Sequence, residues 1–123
     1  MLRQLILVGA GSAAGGMLRH LAGRWIHSLW PHAFPLPTLL VNGAGCLLIG
    51  MVVGLASRTG SIGANALLLL TTGFCGGFTT MSAFAYENVA LMRMGAYTQV
   101  LAYITATVTI GLLATWLGME LTR

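Results

Sequence analysis

The chain contains no lysine and no aspartate, and only two of its 123 residues are acidic, Glu87 and Glu120. Charged residues make up 7% of it, whereas a soluble domain carries about 25%. So few charges cannot cover a water-facing surface. Hydrophobic residues make up 57% of the chain, so lipid is the expected solvent, and the composition excludes an ordinary soluble domain.

Side chains for covalent or metal chemistry are equally sparse. Cys46 and Cys75 both lie in apolar runs without a CxxC partner, which predicts two buried thiols and no disulfide. The histidines at 20, 27 and 32 have no companion carboxylate and are expected at the membrane interface. No nucleophile–base pair or metal cluster is visible, so we do not expect an enzyme.

The formal charge of +4 comes from six arginines that are scattered singly along the chain. A nucleic-acid surface needs clustered positive charge, so we expect no nucleic-acid partner. Single arginines between apolar runs are typical of anchors at a membrane surface.

Four apolar stretches are each long enough to cross a bilayer, which takes about 20 residues. They predict an all-α membrane protein, a single transmembrane domain over 1–123 with no room for a soluble one. The expected helices span 4–23, 36–56, 63–92 and 97–119. Between the first two, a short surface helix over 24–29 is possible. Arg19 is expected to reach the headgroups from the end of the first helix, and small-residue pairs at 11/15 and 50/54 predict close helix packing.

The third stretch is too long for one straight span. As a helix it would measure about 45 Å, against a hydrocarbon core of about 30 Å. Its middle holds Gly73, Gly76 and Gly77, and each interior glycine costs about 1 kcal/mol relative to alanine. We predict that this helix is broken near its middle, near Gly76–Gly77.

The arginines are balanced across the membrane. Four spans place both termini on one side, with Arg3, Arg58 and Arg123, while Arg19, Arg24 and Arg93 fall on the other. Orientation normally follows an excess of positive charge in cytoplasmic loops, and 3 − 3 leaves none. The balance favours insertion in both orientations and an antiparallel homodimer; the alternative is a single, weakly biased orientation.

Three motifs carry a resemblance to a known family. They are Gly15-Gly16-x-x-Arg19, the run from Pro37 to Gly45, and Gly73-Phe-Cys-Gly-Gly-Phe-Thr-Thr-Met-Ser-Ala-Phe84 followed by Glu87. Together with Tyr103 they resemble, over nearly the full chain, the fluoride channels called Fluc or CrcB.

The resemblance implies passive export of fluoride across the inner (plasma) membrane by an antiparallel homodimer with two pores. It implies a structural Na⁺ at the dimer centre, held by the backbone carbonyls of Gly76 and Thr79 in both subunits. It also assigns side chains to the fluoride pathway, namely Asn42, Phe84, Tyr103, Met81, Thr38, Ser82 and Thr107.

The chain departs from the family pattern at two positions. Met81 stands where the family usually has phenylalanine, so it keeps bulk and polarisability but lacks a positive ring edge. Gly111 stands where a hydroxyl is common. It shares one helix face, at a spacing of four, with Tyr103, Thr107 and Thr115, so the polar track on that face is expected to be interrupted.

Neutral donors suit a small, strongly hydrated anion, because a pore must bind it without trapping it. Asn42 can offer amide N–H groups and Phe84 a ring edge. From the residues alone, Asn42 fits interhelical hydrogen bonding equally well, and Phe84 fits plain packing better. Thr79 and Thr80 fit repair of broken backbone.

Two other functions remain open on this composition. A small dual-topology, proton-coupled cation exporter needs a carboxylate deep in the membrane, and the first helix has none. For Glu87, an interfacial charge near Arg93 is the favoured interpretation over a proton-coupled role. A non-conducting assembly subunit of a larger membrane complex is the second alternative.

Overall fold

A computed structural model describes all 123 residues, and every regular element in it is helical. Four segments are long and apolar enough to cross a membrane: Leu2–Leu29, Leu36–Thr59, Ala64–Arg93 and Tyr97–Thr122. The all-α prediction with four spans is therefore confirmed.

The first helix, α1, is longer than expected, since it runs over Leu2–Leu29 rather than 4–23. Nothing between Arg24 and Leu29 breaks a helix, so the separate surface helix predicted there is the end of α1. Pro31 stops it, because the residue before a proline is pushed out of the helical region. Trp30 accordingly has φ −136° and ψ 74°.

The second helix, α2, covers Leu36–Thr59, with Pro37 in its first turn, where the missing N–H costs nothing. It ends three residues later than predicted, at Gly60, whose φ of 59° closes the helix in the left-handed region. The last helix covers Tyr97–Thr122 and also begins where it was expected.

The third span is made of two helices. The first, α3, consists of Ala64–Leu68, a π-helical stretch Leu69–Cys75 and a final turn Gly76–Phe78. Two extended residues follow, with ψ of 159° at Thr79 and 114° at Thr80. The second helix, α4, covers Met81–Arg93, and we number the last helix, Tyr97–Thr122, α5.

The predicted break near the middle of this span, near Gly76–Gly77, is confirmed: both glycines are still helical, and the extended residues Thr79 and Thr80 follow directly after Phe78. Gly77 serves helix packing. A Cβ on Gly77 would lie 2.6 Å from the Ser12 Cα of α1, so only glycine allows this approach. Ser12 Oγ also donates to the Gly73 carbonyl at 3.3 Å.

The helices pack as two close pairs, α1 with α3 and α2 with α5. Both predicted small-residue pairs lie at these contacts, which confirms them. A Cβ on Gly54 of α2, for example, would come within 2.7 Å of the Met119 carbonyl of α5. In lipid there is no hydrophobic driving force between helices, so close backbone contacts of this kind stabilise their association.

Little of the chain is buried by its own fold. Only 16 of 123 residues are buried, and the apolar core is a cluster of four, Leu39, Leu91, Val100 and Tyr103. Large apolar side chains such as Leu112 and Trp116 are exposed. A surface of this kind is stable only under lipid or a further protein surface.

Candidate functional site

The break between α3 and α4 is held by the amide side chain of Asn42. Its Nδ2 donates to the Thr80 carbonyl at 3.1 Å, and its Oδ1 accepts from the Thr80 N–H at 2.8 Å. One side chain of α2 thus satisfies both backbone groups of an extended residue. In this structure Asn42 therefore bonds to backbone groups. The second N–H of its side-chain amide makes no hydrogen bond within the chain.

The break leaves the four backbone carbonyls of residues 76–79 outside the helical pattern, because the N–H groups four residues further along do not bond to them. In a continuous helix the Thr80 N–H would bond to the Gly76 carbonyl, but it is taken by Asn42. The Ala83 N–H would bond to the Thr79 carbonyl, but it goes to Thr80 Oγ1, which caps α4. The carbonyls of Gly76 and Thr79, predicted to hold sodium, are two of the four that the break releases.

The Thr79 carbonyl accepts one hydrogen bond, from Arg19 Nη1 at 3.1 Å. The expectation that Arg19 reaches the headgroups was therefore wrong: its guanidinium is half-buried and binds the break. The unsatisfied carbonyl attracts it because lipid offers no other donor. The only sequence signal for this contact is the motif Gly15-Gly16-x-x-Arg19.

Gly76 and Thr79 line a shared cavity of about 210 Å³, together with the thiol-bearing Cys46 and Cys75. Carbonyl oxygens at a helix break are suitable ligands for a small hard cation. The Thr79 oxygen keeps a second lone pair beside Arg19, and Gly76 is exposed at the surface of the chain. The two carbonyls fit a cation site, although two oxygens are too few to complete one within a single chain.

A much larger cleft, of about 780 Å³, lies between α1, the start of α2 and the start of α4. We call it the basic cleft, since Arg19, His20, Arg24 and His27 of α1 line it and no acidic side chain does. The hydroxyl-bearing residues on its walls are Thr38, Thr80, Ser82 and Tyr86. The predicted pathway residues Thr38 and Ser82 therefore lie in the same cleft as the positively charged side chains of Arg19 and Arg24.

Behind the basic cleft, Tyr103 is the most deeply buried large side chain, with 0% exposure. The Phe84 ring packs edge-on against it, with centroids 5.0 Å apart and planes at 68°. Phe34 makes a similar contact from the other side, at 5.6 Å. Phe84 and Tyr103 are therefore neighbours, as a shared pathway requires.

Glu87 joins this group. It accepts a hydrogen bond from Thr38 Oγ1 at 2.7 Å and one from the Tyr103 hydroxyl at 2.6 Å. The favoured interpretation of Glu87 as an interfacial charge near Arg93 was wrong, because Glu87 faces inward and Arg93 is exposed and unpaired. Sequence reasoning missed this contact, since only the fold brings Thr38 and Tyr103 to the same carboxylate.

Two predicted pathway residues lie apart from this group. Met81 is 74% exposed and points away from the body of the chain. The Thr107 hydroxyl is buried without a hydrogen-bond partner. Further along the same face, Thr115 Oγ1 donates to the Gly111 carbonyl at 2.9 Å, so the hydroxyls of α5 form no continuous track within one chain.

The sequence matches the profile of the CrcB-like proteins, described as Camphor Resistance (CrcB), over residues 6–119. It is 45% identical over 121 residues to a fluoride-specific ion channel FluC of Methylobacillus flagellatus, covering 98% of this chain and 94% of the relative. A FluC 2 of Rhodococcus jostii is 43% identical over 96% of this chain and 97% of its own.

A third relative, the fluoride-specific ion channel FluC of Pseudomonas fluorescens, is 41% identical over the whole of this chain and 99% of its own length. The aligned region of each relative covers the residues of the helix break, those of the basic cleft and Tyr103. With a family profile over nearly all of its residues and relatives at this identity, the chain belongs to the CrcB family of membrane proteins.

Proposed function

We propose that this chain forms a fluoride-selective ion channel that exports fluoride passively across the inner membrane, in which it is a multi-pass protein. The observation that carries the proposal is its full-length similarity, at 45% and 41% identity, to proteins named fluoride-specific channels. The site is consistent with this function, since a cleft free of carboxylates leads to neutral hydrogen-bond donors.

Fluoride gives up its water only where donors replace it, and a donor that binds too tightly would stop conduction. The basic cleft draws an anion from water by its charge. Its walls then offer the hydroxyls of Thr80 and Ser82. The remaining amide N–H of Asn42 and the ring edges of Phe84 and Tyr103 offer further weak donors beyond it.

Glu87 supports this pathway by being held away from it. A free carboxylate beside an anion pathway would repel fluoride. Here the hydroxyls of Thr38 and Tyr103 both donate to Glu87, which disperses its negative charge and fixes its position. The same basic cleft argues against a cation exporter, because Arg19 and Arg24 would repel the cargo.

A second copy in the opposite orientation would complete the pathway. Met81 is 74% exposed, so it can face fluoride only if another chain covers it. The balance of three arginines on each side permits both insertions. An antiparallel homodimer then has one basic cleft opening on each face of the membrane.

The same dimer supports a structural Na⁺ at its centre. Gly76 lies at the exposed surface of α3, and its carbonyl is one of those released by the break. Two-fold symmetry would bring two such carbonyls from each chain together, and Na⁺ supplies the positive charge that meeting carbonyl dipoles need. Arg19 supports the Thr79 carbonyl from behind.

Fluoride flux from liposomes tests the function directly. Purified protein should release fluoride when potassium is allowed to follow through an ionophore, with no proton gradient, and should release chloride far more slowly. Exchange of a cation for protons would instead identify an exporter. Absence of any flux from folded protein would favour an assembly subunit.

Replacing Asn42 tests whether this residue only supports the break or also takes part in conduction. Asn42→Leu leaves the Thr80 N–H and C=O unpaired, at about 1–3 kcal/mol for each buried group, so thermal unfolding should occur at lower temperature and fluoride current should fall. Asn65→Leu, at an exposed position of α3, is the matched control and should change neither. If Asn42→Leu lowers stability but leaves the current per channel intact, Asn42 is structural only.

Accessibility of two loops tests dual topology. In a background with both native cysteines replaced by serine, Ser61→Cys and Ala33→Cys report on opposite ends of the helices. An impermeant thiol reagent added outside intact cells should label the two positions to a similar extent. Complete labelling of one and none of the other would establish a single orientation and refute the antiparallel dimer.

Removal of sodium tests the central ion. Exchanging Na⁺ for N-methyl-D-glucamine should weaken the dimer in detergent and abolish fluoride current, because the meeting carbonyls would lose their counter-charge. Returning Na⁺ should restore both, and choline should not. A stable dimer that conducts normally after exhaustive sodium removal would show that no such ion is needed.

A further inference from the structure

The basic cleft has a stripe of residues in which two histidines flank an arginine, and the pathway described above gives these histidines no role of their own. His20, Arg24 and His27 are spaced by four and three residues, which places them on one face of α1. All three line the basic cleft and are exposed. The third histidine, His32, lies outside it and packs edge-on against Trp30, at 4.5 Å between ring centroids.

Few other groups around this stripe can change charge. From α1, Arg19 and Arg24 are permanently positive, and from α4 Tyr86 contributes a phenol, a group that is neutral at physiological pH. The wall from α2, formed by Pro37, Thr38 and Val41, contains no titratable side chain.

The nearest carboxylate is that of Glu87, which lies behind this wall and is bonded to Thr38 and Tyr103. Among the side chains that line the basic cleft, therefore, only His20 and His27 are imidazoles, which gain a positive charge when they bind a proton.

We propose that His20, Arg24 and His27 form an anion-collecting site at the mouth of the basic cleft, and that protonation of the two histidines sets its strength. The ligand is a small hydrated monovalent anion, fluoride in the first place. This inference rests on the proposed channel function and assigns the step before dehydration, in which the ion is concentrated at the protein.

The direction of the effect follows from charge alone. At high pH the basic cleft holds two positive groups, Arg19 and Arg24, and below the histidine range it holds four. One added charge about 10 Å from the ion raises the local concentration of a monovalent anion about two-fold in water. Two histidines should raise fluoride current about two- to four-fold at low fluoride concentration.

The test is electrical recording in planar bilayers at subsaturating fluoride, since only the ion carries current and HF does not. Current through the unmodified protein should rise about two- to four-fold between pH 8 and pH 5.5, as the charge estimate requires. The double variant His20→Gln/His27→Gln should conduct without this rise. His32→Gln is the matched control and should keep it.

Ionic strength provides a second measurement on the unmodified protein. An impermeant salt raised to about 1 M shortens the screening length to about 3 Å, so the rise at low pH should disappear. A rise that persists in high salt or in the double variant would overturn the inference, and so would its absence from the unmodified protein. Failure of the channel function itself is distinct, because no fluoride current would flow at any pH.

Discussion

One amide side chain holds the break on which the site depends. In lipid, a backbone N–H or C=O without a partner costs several kcal/mol, so a helix can be interrupted only where something replaces its hydrogen bonds. Asn42 replaces two of them at Thr80. Because Asn42 belongs to α2, which packs closely on α5, the position of the break is fixed relative to Tyr103. The release of the Gly76 carbonyl follows from the bond of the Thr80 N–H to Asn42, and that of the Thr79 carbonyl from the Thr80 hydroxyl that caps α4.

The sequence predicted those features of the fold that follow from insertion into a lipid bilayer. Apolar length gave the four spans, excess length showed that the third is broken, and Pro37 marked the start of α2. Glycine content placed the break only to within a few residues, because Gly77 is itself helical and is used for contact with α1. A break is placed by its hydrogen-bond partner, and that partner lies 38 residues away, at Asn42.

The polar interactions of the site were the least predictable part. Arg19 and Glu87 are charged residues near the ends of apolar stretches, and the rules for such residues assign both to the membrane surface. The fold turns both inward, Arg19 to a released carbonyl and Glu87 to two hydroxyls. Only contacts between distant residues, Thr38 and Tyr103 among them, explain how a carboxylate is tolerated beside a basic cleft. The family motifs named in the sequence analysis include these residues, so the resemblance indicated that they belong to the site. It did not indicate which residues they contact.

The π-helical stretch Leu69–Cys75 gives this protein a constraint of length as well as of composition. Each bond in such a stretch skips one residue more than in an α-helix, so the segment stores an extra residue without lengthening the span to match. Successive residues of a helix point about 100° apart. If the segment became an ordinary α-helix without losing a residue, Gly76–Phe78 would turn away from α1 by about that angle. The wide turns keep Gly73 and Gly77 on the face that packs against α1, so this contact depends on the number of residues in Leu69–Cys75 as well as on their identity.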